Sequence, residues 1–236
     1  MPKKEVKTKI KVGIENSPTM DSESKLFFQS ENQFSKFSNS KIHQNLIDSK
    51  TEIVLGIDEA GRGPVLGPMV YACCFAPLDK HDEIRAQGCE DSKQLKDEQR
   101  REILEKITDL TKNEKNGLSL GWIYEVLTPS YISTSQLAPC KYNLNEMSHD
   151  SASFLIRDAL SKGLNVKRVF VDTVGPPEKY QDKLSKRFPG IHFTVEKKAD
   201  DTYPSVSAAS IVAKVLQKNV LKYRKYLFNQ SVEVNC

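Results

Sequence analysis

A short apolar run that ends in two acidic residues is the feature that most restricts the fold of this chain. Residues 53–57 (IVLGI) contain no polar side chain and are followed at once by Asp58 and Glu59. A continuous apolar run of this length, bounded by acids, is typical of a strand buried on both faces. Because such strands lie inside sheets that helices cover, we expect an α/β protein.

The rest of the pattern predicts a second strand and then strands alternating with helices. Further strands are predicted at 69–75, 118–127, 169–171 and 191–195, and helices at 143–162, at 206–227 and after Ser92, which is expected to cap its helix. This order predicts a mixed β-sheet flanked by helices on both sides, in one domain at residues 51–227.

The first 50 residues differ in composition from the remainder. They carry nine Lys and six acidic residues, are rich in Ser, Asn and Gln, and show no sustained apolar period. This composition predicts a disordered polar and basic tail over residues 1–50. The other 186 residues carry 26 basic and 25 acidic side chains. Overall charge therefore gives no argument that the core binds nucleic acid.

Composition also excludes some classes of protein. No apolar stretch approaches the roughly 20 residues that a membrane-spanning helix needs, and no apolar segment follows Met1 as in a signal peptide. The five Cys are odd in number and have no C-x-x-C spacing, which argues against a disulfide framework and a zinc site. We expect a protein of the nucleus or cytosol with no membrane partner.

Acidic residues fall at the carboxyl ends of three predicted strands. Asp58 and Glu59 end the first, Asp172 ends the strand at 169–171, and Asp200 and Asp201 follow the strand at 191–195 after a short turn. Ligands of open α/β sheets collect at this edge. Several carboxylates packed there need cations, and oxygen ligands alone favour Mg²⁺ or Mn²⁺. Two such ions would clamp a phosphodiester for hydrolysis.

Spacing alone leaves open that these acids merely face solvent, and it does not decide whether Asp200 or Asp201 points inward. The segment after Glu59 favours a site, because Gly61 and Gly63 flank Arg62 beside the acids. Glycines let backbone N–H groups approach a substrate closely, and a guanidinium binds phosphate. The combination predicts phosphoryl hydrolysis.

Several motifs, in consistent order over residues 52–218, resemble the type 2 ribonuclease H family. The carrying segments are 58–64 (DEAGRGP), 91–93 (DSK), 171–172 (VD) and 198–214 (KADDTYPSVSAASIVAK). Segments 132–135, 141–145, 148–150 and 188–190 resemble more narrowly the eukaryotic catalytic A subunits of that family.

The resemblance implies a ribonuclease H-like fold and an endonuclease that hydrolyses the RNA strand of RNA–DNA hybrids. It implies cutting 5′ of ribonucleotides embedded in duplex DNA, leaving 5′-phosphate and 3′-hydroxyl ends. It further implies a nuclear role in DNA replication and ribonucleotide removal, with the ribonuclease H2 B and C subunits as partners.

The resemblance also implies roles for individual residues. The family's catalytic metal-binding acids, which use two Mg²⁺ or Mn²⁺ ions, are matched by Asp58, Glu59, Asp172 and Asp200. Gly61, Arg62 and Gly63 match the loop that reads the ribose 2′-hydroxyl, the group that distinguishes RNA from DNA. Lys93 is expected to hold a neighbouring phosphate, and Asn143 is a candidate for contact with the backbone of the other strand.

The likeness fades after Lys218, and residues 228–236 are interpreted as a divergent end. The family's Gly-Ser-Gly-Tyr-Pro segment has no match, because Tyr203 belongs to a different motif. We therefore expect a C-terminally truncated member with reduced discrimination for single embedded ribonucleotides. The alternative is a weakly active or inactive variant that binds hybrid or scaffolds subunits.

Two smaller signals keep more than one interpretation. From Lys179 to Lys225 there are eleven basic residues and four acidic ones, which suits a phosphate-facing patch or a solvated face on two amphipathic helices. His149 and Asp150, adjacent on a predicted helix, are expected to be a capped or exposed pair rather than an acid–base dyad.

Overall fold

Six strands form one mixed sheet in the computed structural model, which describes residues 36–48, 50–63, 67–89, 92–112, 118–138, 142–173 and 175–233. The sheet lies in a compact unit of residues 32–221. A second unit combines residues 1–31 with 222–236, of which 222–233 are described and helical. Within the described part of the chain, no helix is long and apolar enough to cross a membrane.

The elements follow one another in a simple order. The strands are β1 (Lys36–Asn39), β2 (Glu52–Ala60), β3 (Met69–Pro77), β4 (Gly121–Leu127), β5 (Asn165–Asp172) and β6 (His192–Glu196). The α-helices are α1 (Gln44–Asp48), α2 (Asp97–Lys112), α3 (Pro129–Leu137), α4 (Leu144–Ser161), α5 (Pro177–Arg187), α6 (Ala199–Thr202) and α7 (Pro204–Glu233), and a 3₁₀ helix spans Leu78–Gln87.

The sheet has the order β1-β4-β3-β2-β5-β6. The pairs β1–β4, β4–β3 and β3–β2 are antiparallel, whereas β2–β5 and β5–β6 are parallel. Strand β2 therefore lies between an antiparallel and a parallel neighbour. Parallel pairing brings the carboxyl ends of β2, β5 and β6 to the same edge of the sheet.

Alternate residues of β2 face two different apolar layers, as strand geometry requires. Ile53, Leu55 and Ile57 belong to the larger core, which side chains of α4 and α5 complete. Val54 packs on the opposite face with Phe170 of β5 and with residues of α6 and α7. The predicted fold class, a mixed sheet flanked by helices on both sides, is confirmed.

Residues 36–48 differ from the prediction of a disordered tail. Strand β1 pairs with the edge strand β4, and Ser40, which follows it, exchanges hydrogen bonds of 2.8 and 2.9 Å with the Trp122 backbone. Leu46 is buried. Backbone pairing at a sheet edge does not need an apolar run, so the composition masked this strand. Residues 1–35 of the predicted tail lie outside the described residues.

Two other local predictions also differ from the structure. Helix α2 begins at Asp97 rather than after Ser92, and Ser92 is fully buried instead of capping it. Helix α3 was not predicted, although Thr128 caps it by accepting from the Tyr131 N–H at 3.2 Å and Pro129 occupies its first turn. These are standard start signals for a helix.

Gly56 lets helix α7 approach β2 closely. A Cβ atom at this position would lie 2.2 Å from the backbone carbon of Ser205 and 2.3 Å from the backbone nitrogen of Val206. No other residue type fits this space. The close contact places the first turns of α7 beside Asp58, two residues further along β2.

Candidate active site

Strands β2 and β5 bring three carboxylates to one edge of the sheet. Ile57 pairs with Val171, so Asp58 and Asp172 follow at neighbouring strand ends. Asp58 is 5% exposed, whereas Glu59 and Asp172 are half-buried. Since side chains alternate along a strand, Asp58 and Glu59 point to opposite faces of β2.

A tight turn after β6 brings Asp200 to the same place. Lys198 adopts a left-handed conformation with φ of 61°, and the N–H of the next residue, Ala199, donates to Asp172 Oδ1 at 3.0 Å. Asp200 is 3% exposed, whereas Asp201 is exposed. The turn therefore directs Asp200 inward and Asp201 outward.

The electrostatics of the four carboxylates reflect their proximity. Burial, and then the charges of Glu59 and Asp172, hold the pKa of Asp58 well above its usual range. Burial raises the pKa of Glu59 to about 7, with Arg62 opposing and Asp172 and Asp200 adding to the shift. Burial is also the main cause that raises the pKa of Asp172. Concentrated negative charge of this kind favours a bound cation.

Lys93 supplies a positive charge at this cluster. Its Nζ donates to Asp200 Oδ1 at 3.2 Å and lies 3.0 Å from Oδ2. The Asp200 side chain is 1% exposed and that of Lys93 is 55% exposed. An ammonium group at the surface thus compensates a buried carboxylate.

A buried polar chain supports Asp58 from beneath. Lys214 of α7 donates to Ser92 Oγ, which lies 2.8 Å from Ser210 Oγ. Ser210 in turn hydrogen-bonds the Asp58 carboxylate and lowers its pKa. Burial lowers the pKa of Lys214, while the charges of Asp58 and Asp200 act to raise it. This chain explains why Ser92 and Ser210, both 0% exposed, are polar.

The carboxylates do not form a ready-made metal cage. In the described part of the chain, no three Asp, Glu, His or Cys side chains converge closely enough to hold one ion. Mutual repulsion keeps uncompensated carboxylates apart, and Lys93 occupies Asp200. The donor set nevertheless fits a hard divalent cation, because it consists of carboxylate oxygens with no His or thiolate.

The loop after β2 fixes Arg62 beside the acids. Its Nη1 donates to Ser148 Oγ at 2.5 Å and its Nη2 donates to Asn145 Oδ1. The Tyr71 hydroxyl also donates to Ser148 Oγ, at 2.7 Å. Arg62 is thus held by the first turns of α4, more than 80 residues further along the chain.

The two glycines of this loop have different surroundings. Gly61 has φ of 89°, and a Cβ there would lie 2.3 Å from the carbonyl oxygen of Pro68. The protein's own backbone therefore requires glycine at this position. A Cβ at Gly63 would meet nothing within 4 Å, and its φ is not in the left-handed region. The folded chain gives no internal reason for glycine at 63.

Asn143 has a structural role in addition to its predicted one. It is the N-cap of α4, where its Oδ1 accepts from the Glu146 N–H at 3.0 Å and the Glu146 side chain accepts from its own N–H at 3.1 Å. The residue of this segment that contacts Arg62 is Asn145. Sequence reasoning did not single out Asn145 or Ser148, because polar residues early in a helix usually face solvent.

A cavity of about 360 Å³ opens beside the acids. It is lined by Glu59, Asp172 and Arg62 on one side and by α4 and α5 on the other. His149 stacks on Tyr180 in its wall, with ring centroids 3.8 Å apart. Asp150 instead accepts from Tyr142 at 2.6 Å and from Arg187 at 3.2 Å. His149 and Asp150 thus have separate partners, as expected for a pair that is not a dyad.

Comparison with known proteins gives a consistent family match. A family model described as Ribonuclease HII matches residues 55–235. This match extends past Lys218, where the motif likeness was expected to fade. The ribonuclease H2 catalytic-type chain of Bos taurus, its A subunit, is 51% identical over 178 residues, which cover 75% of this chain and 58% of the relative. The chain thus spans little more than half the length of this curated relative.

Solved structures are similar as well. The structure of the PCNA:RNase HII complex from Archaeoglobus fulgidus matches with a TM-score of 0.62 and 29% identity, over 74% of this chain and 76% of that chain. Ribonuclease H2 from Pyrococcus horikoshii OT3 matches with a TM-score of 0.61 and 27% identity, over 75% and 77% of the two chains. The resemblance inferred from the sequence motifs is confirmed.

Proposed function

This chain belongs to the ribonuclease HII family, and from that premise we propose that it is a metal-dependent endonuclease. Its substrates are the RNA strand of RNA–DNA hybrids and duplex DNA with embedded ribonucleotides, which it cuts 5′ of the ribonucleotide to leave 5′-phosphate and 3′-hydroxyl ends. The observation that carries the proposal is the convergence of Asp58, Glu59, Asp172 and Asp200 at one sheet edge beside Arg62.

The four acids are the residues that would hold two Mg²⁺ or Mn²⁺ ions. Such ions neutralise charge on a phosphodiester and activate a water for in-line attack. The chain positions these ligands by strand pairing for Asp58, by the Ser210 hydrogen bond to that carboxylate, and by the Ala199 N–H for Asp172. Preorganised ligands of this kind lose little entropy when substrate binds.

The Gly61–Gly63 loop is the element that would select the substrate. Arg62 is fixed by Ser148 and Asn145, so its guanidinium can meet a phosphate without first being ordered. The open space at Gly63 leaves its backbone accessible to a ribose 2′-hydroxyl. Lys93 would bind a phosphate next to the cut, and Asn143 would contact the other strand.

Cellular context is part of the proposal. The name of the Bos taurus relative describes one lettered subunit of ribonuclease H2, and therefore one part of an assembly. We propose that this chain likewise assembles with ribonuclease H2 B and C subunits and removes ribonucleotides during DNA replication in the nucleus.

Substitution of single acids tests the proposal. The wild-type chain should cut an RNA–DNA hybrid in Mg²⁺, and both Asp58→Asn and Asp200→Asn should lose cutting, because each removes a charged ligand. Asp201→Asn is the matched control, since Asp201 adjoins Asp200 but is exposed. Cutting that survives Asp58→Asn would contradict the proposal. Retention of hybrid with no cutting by the wild type would instead favour the hybrid-binding or scaffolding alternative.

A further inference from the structure

Helix α5 carries two kinds of basic residue. Lys186 pairs with Asp182 at 2.6 Å, and Arg187 pairs with Asp150 at 3.2 Å. For Lys179 and Lys183, by contrast, no carboxylate among the described residues lies within ion-pair distance, and both side chains are exposed. Two of the four cations of this helix are therefore available to a ligand.

The two available lysines share one face of α5. Residues four apart are neighbours on a helix surface, and both Lys179 and Lys183 line the cavity of about 360 Å³. Glu59 and Asp172 line the same cavity. The cavity thus has two ammonium groups on one wall and two of the four proposed catalytic acids on another.

The field inside the cavity agrees with this arrangement. His149, in the wall between α4 and α5, has its pKa lowered by burial and then by the positive charges of Lys183 and Arg62. These cations therefore act on the cavity interior rather than on bulk solvent alone. An extended polyanion that places one phosphate at the acids and another at the lysines matches both walls.

We propose that Lys179 and Lys183 bind a phosphate of the strand that is cut, next to the scissile linkage, and so position that linkage against the acids. The inference rests on the proposed nuclease function and adds two substrate-positioning residues to it. Of the eleven basic residues between 179 and 225, it selects these two on the ground of geometry.

Salt-dependent hybrid binding tests the assignment. With Asp58→Asn as the uncut background, hybrid affinity is measured by fluorescence anisotropy over a range of NaCl concentrations. Lys179→Gln/Lys183→Gln should weaken binding about tenfold at low salt, and should reduce the slope of log affinity against log salt by about 1. Lys186→Gln, on the same helix and also exposed, should leave the slope unchanged.

The strand is identified with neutral linkages. Single methylphosphonates are placed, one at a time, on either strand of a duplex whose cut strand holds a short ribonucleotide block between deoxynucleotides. One cut-strand linkage next to the block should weaken wild-type binding but not binding by the double lysine variant. Sensitivity at an opposite-strand linkage alone would overturn the strand assignment.

The outcomes separate the two proposals. If the wild type neither binds nor cuts hybrid, the proposed function fails and the lysine assignment fails with it. If the wild type binds and cuts but the double lysine variant keeps the wild-type slope, or Lys186→Gln lowers it equally, only the lysine assignment is overturned. Thermal unfolding of each variant verifies that the fold is intact.

Discussion

Lys93 Nζ lies 3.2 and 3.0 Å from the two carboxylate oxygens of Asp200. The lysine is more than half exposed and the carboxylate is almost fully buried. In our account this ammonium group compensates Asp200 in the free protein and binds a phosphate when substrate arrives. It also competes with a divalent cation for the same carboxylate.

Replacing Lys93 separates these effects. Lys93→Gln should lower the cleavage rate of hybrid about 10- to 100-fold at saturating Mg²⁺, the usual range for a lost hydrogen bond to a charged group. The Mg²⁺ concentration for half-maximal cleavage should fall, because the competing charge is gone. Lys96→Gln, an exposed neighbour, is the control. An unchanged rate in Lys93→Gln would contradict the phosphate role.

Gly63→Ala should reduce cleavage without changing stability. A Cβ there meets nothing within 4 Å in the folded chain, so an effect on cleavage must come from contact with substrate. Gly56→Ala is the contrasting variant, because its Cβ would lie 2.2 Å from the Ser205 backbone. It should lower the free energy of unfolding by about 1–3 kcal/mol. Urea unfolding and hybrid cleavage are measured for both; full cleavage by Gly63→Ala would count against the loop's role.

Arg62→Lys should lower cleavage although the positive charge is kept. The guanidinium donates from two nitrogens to Ser148 and Asn145, and an ammonium group cannot reproduce that fork. Arg101→Lys is a matched control, because Arg101 also bridges two partners, Asn219 and Asp97, on helix α2. The ratio of kcat/KM for a single embedded ribonucleotide and for all-DNA duplex is measured. Equal ratios in Arg62→Lys and wild type would contradict a selective role.

Stability should decrease in mild acid because of His81. Its Nε2 accepts the Ser205 N–H at 3.2 Å, and its ring stacks on Phe170 at 5.4 Å. Burial lowers the pKa of His81 below 6.5, with Asp82 opposing this shift and Arg85 and Arg168 adding to it. Since the neutral form is favoured in the folded state, this stability is complete above about pH 6.5 and is lost as the pH falls further.

Thermal unfolding at pH 7.5 and pH 5.5 measures the effect. The midpoint of the wild type should fall between these pH values by more than that of His81→Gln, which cannot be protonated. His192→Gln, at an exposed histidine, should behave as the wild type does. A wild-type midpoint that falls no further than that of His81→Gln would show that His81 is not the cause.

The centre of the fold could be predicted because burial leaves a clear pattern. Strand β2 is buried on both faces and therefore appears as a continuous apolar run, and the acids that end β2 and β5 meet because these strands are parallel. Strand β1 could not be predicted in this way. It lies at the sheet edge, where polar residues such as those of 36–39 pair through the backbone alone.

The candidate site could be predicted only as far as local motifs reach. Asp58, Glu59 and Arg62 are neighbours in the sequence, whereas the side chains that hold Arg62 lie more than 80 residues away. Ser92 shows the same limit: it resembles a helix cap locally, but a partner 118 residues away, Ser210, determines its role. Tertiary contacts of this kind leave no periodic signal along the chain.

Mn²⁺ binding measured by electron paramagnetic resonance tests the central claim most directly, since it does not depend on catalysis. We predict that the wild type binds two Mn²⁺ ions per chain, that Asp58→Asn and Asp172→Asn each lose at least one of them, and that Asp201→Asn binds as the wild type does. Equal Mn²⁺ binding by wild type and Asp58→Asn, or no binding by the wild type, would contradict a cation site shared by these carboxylates.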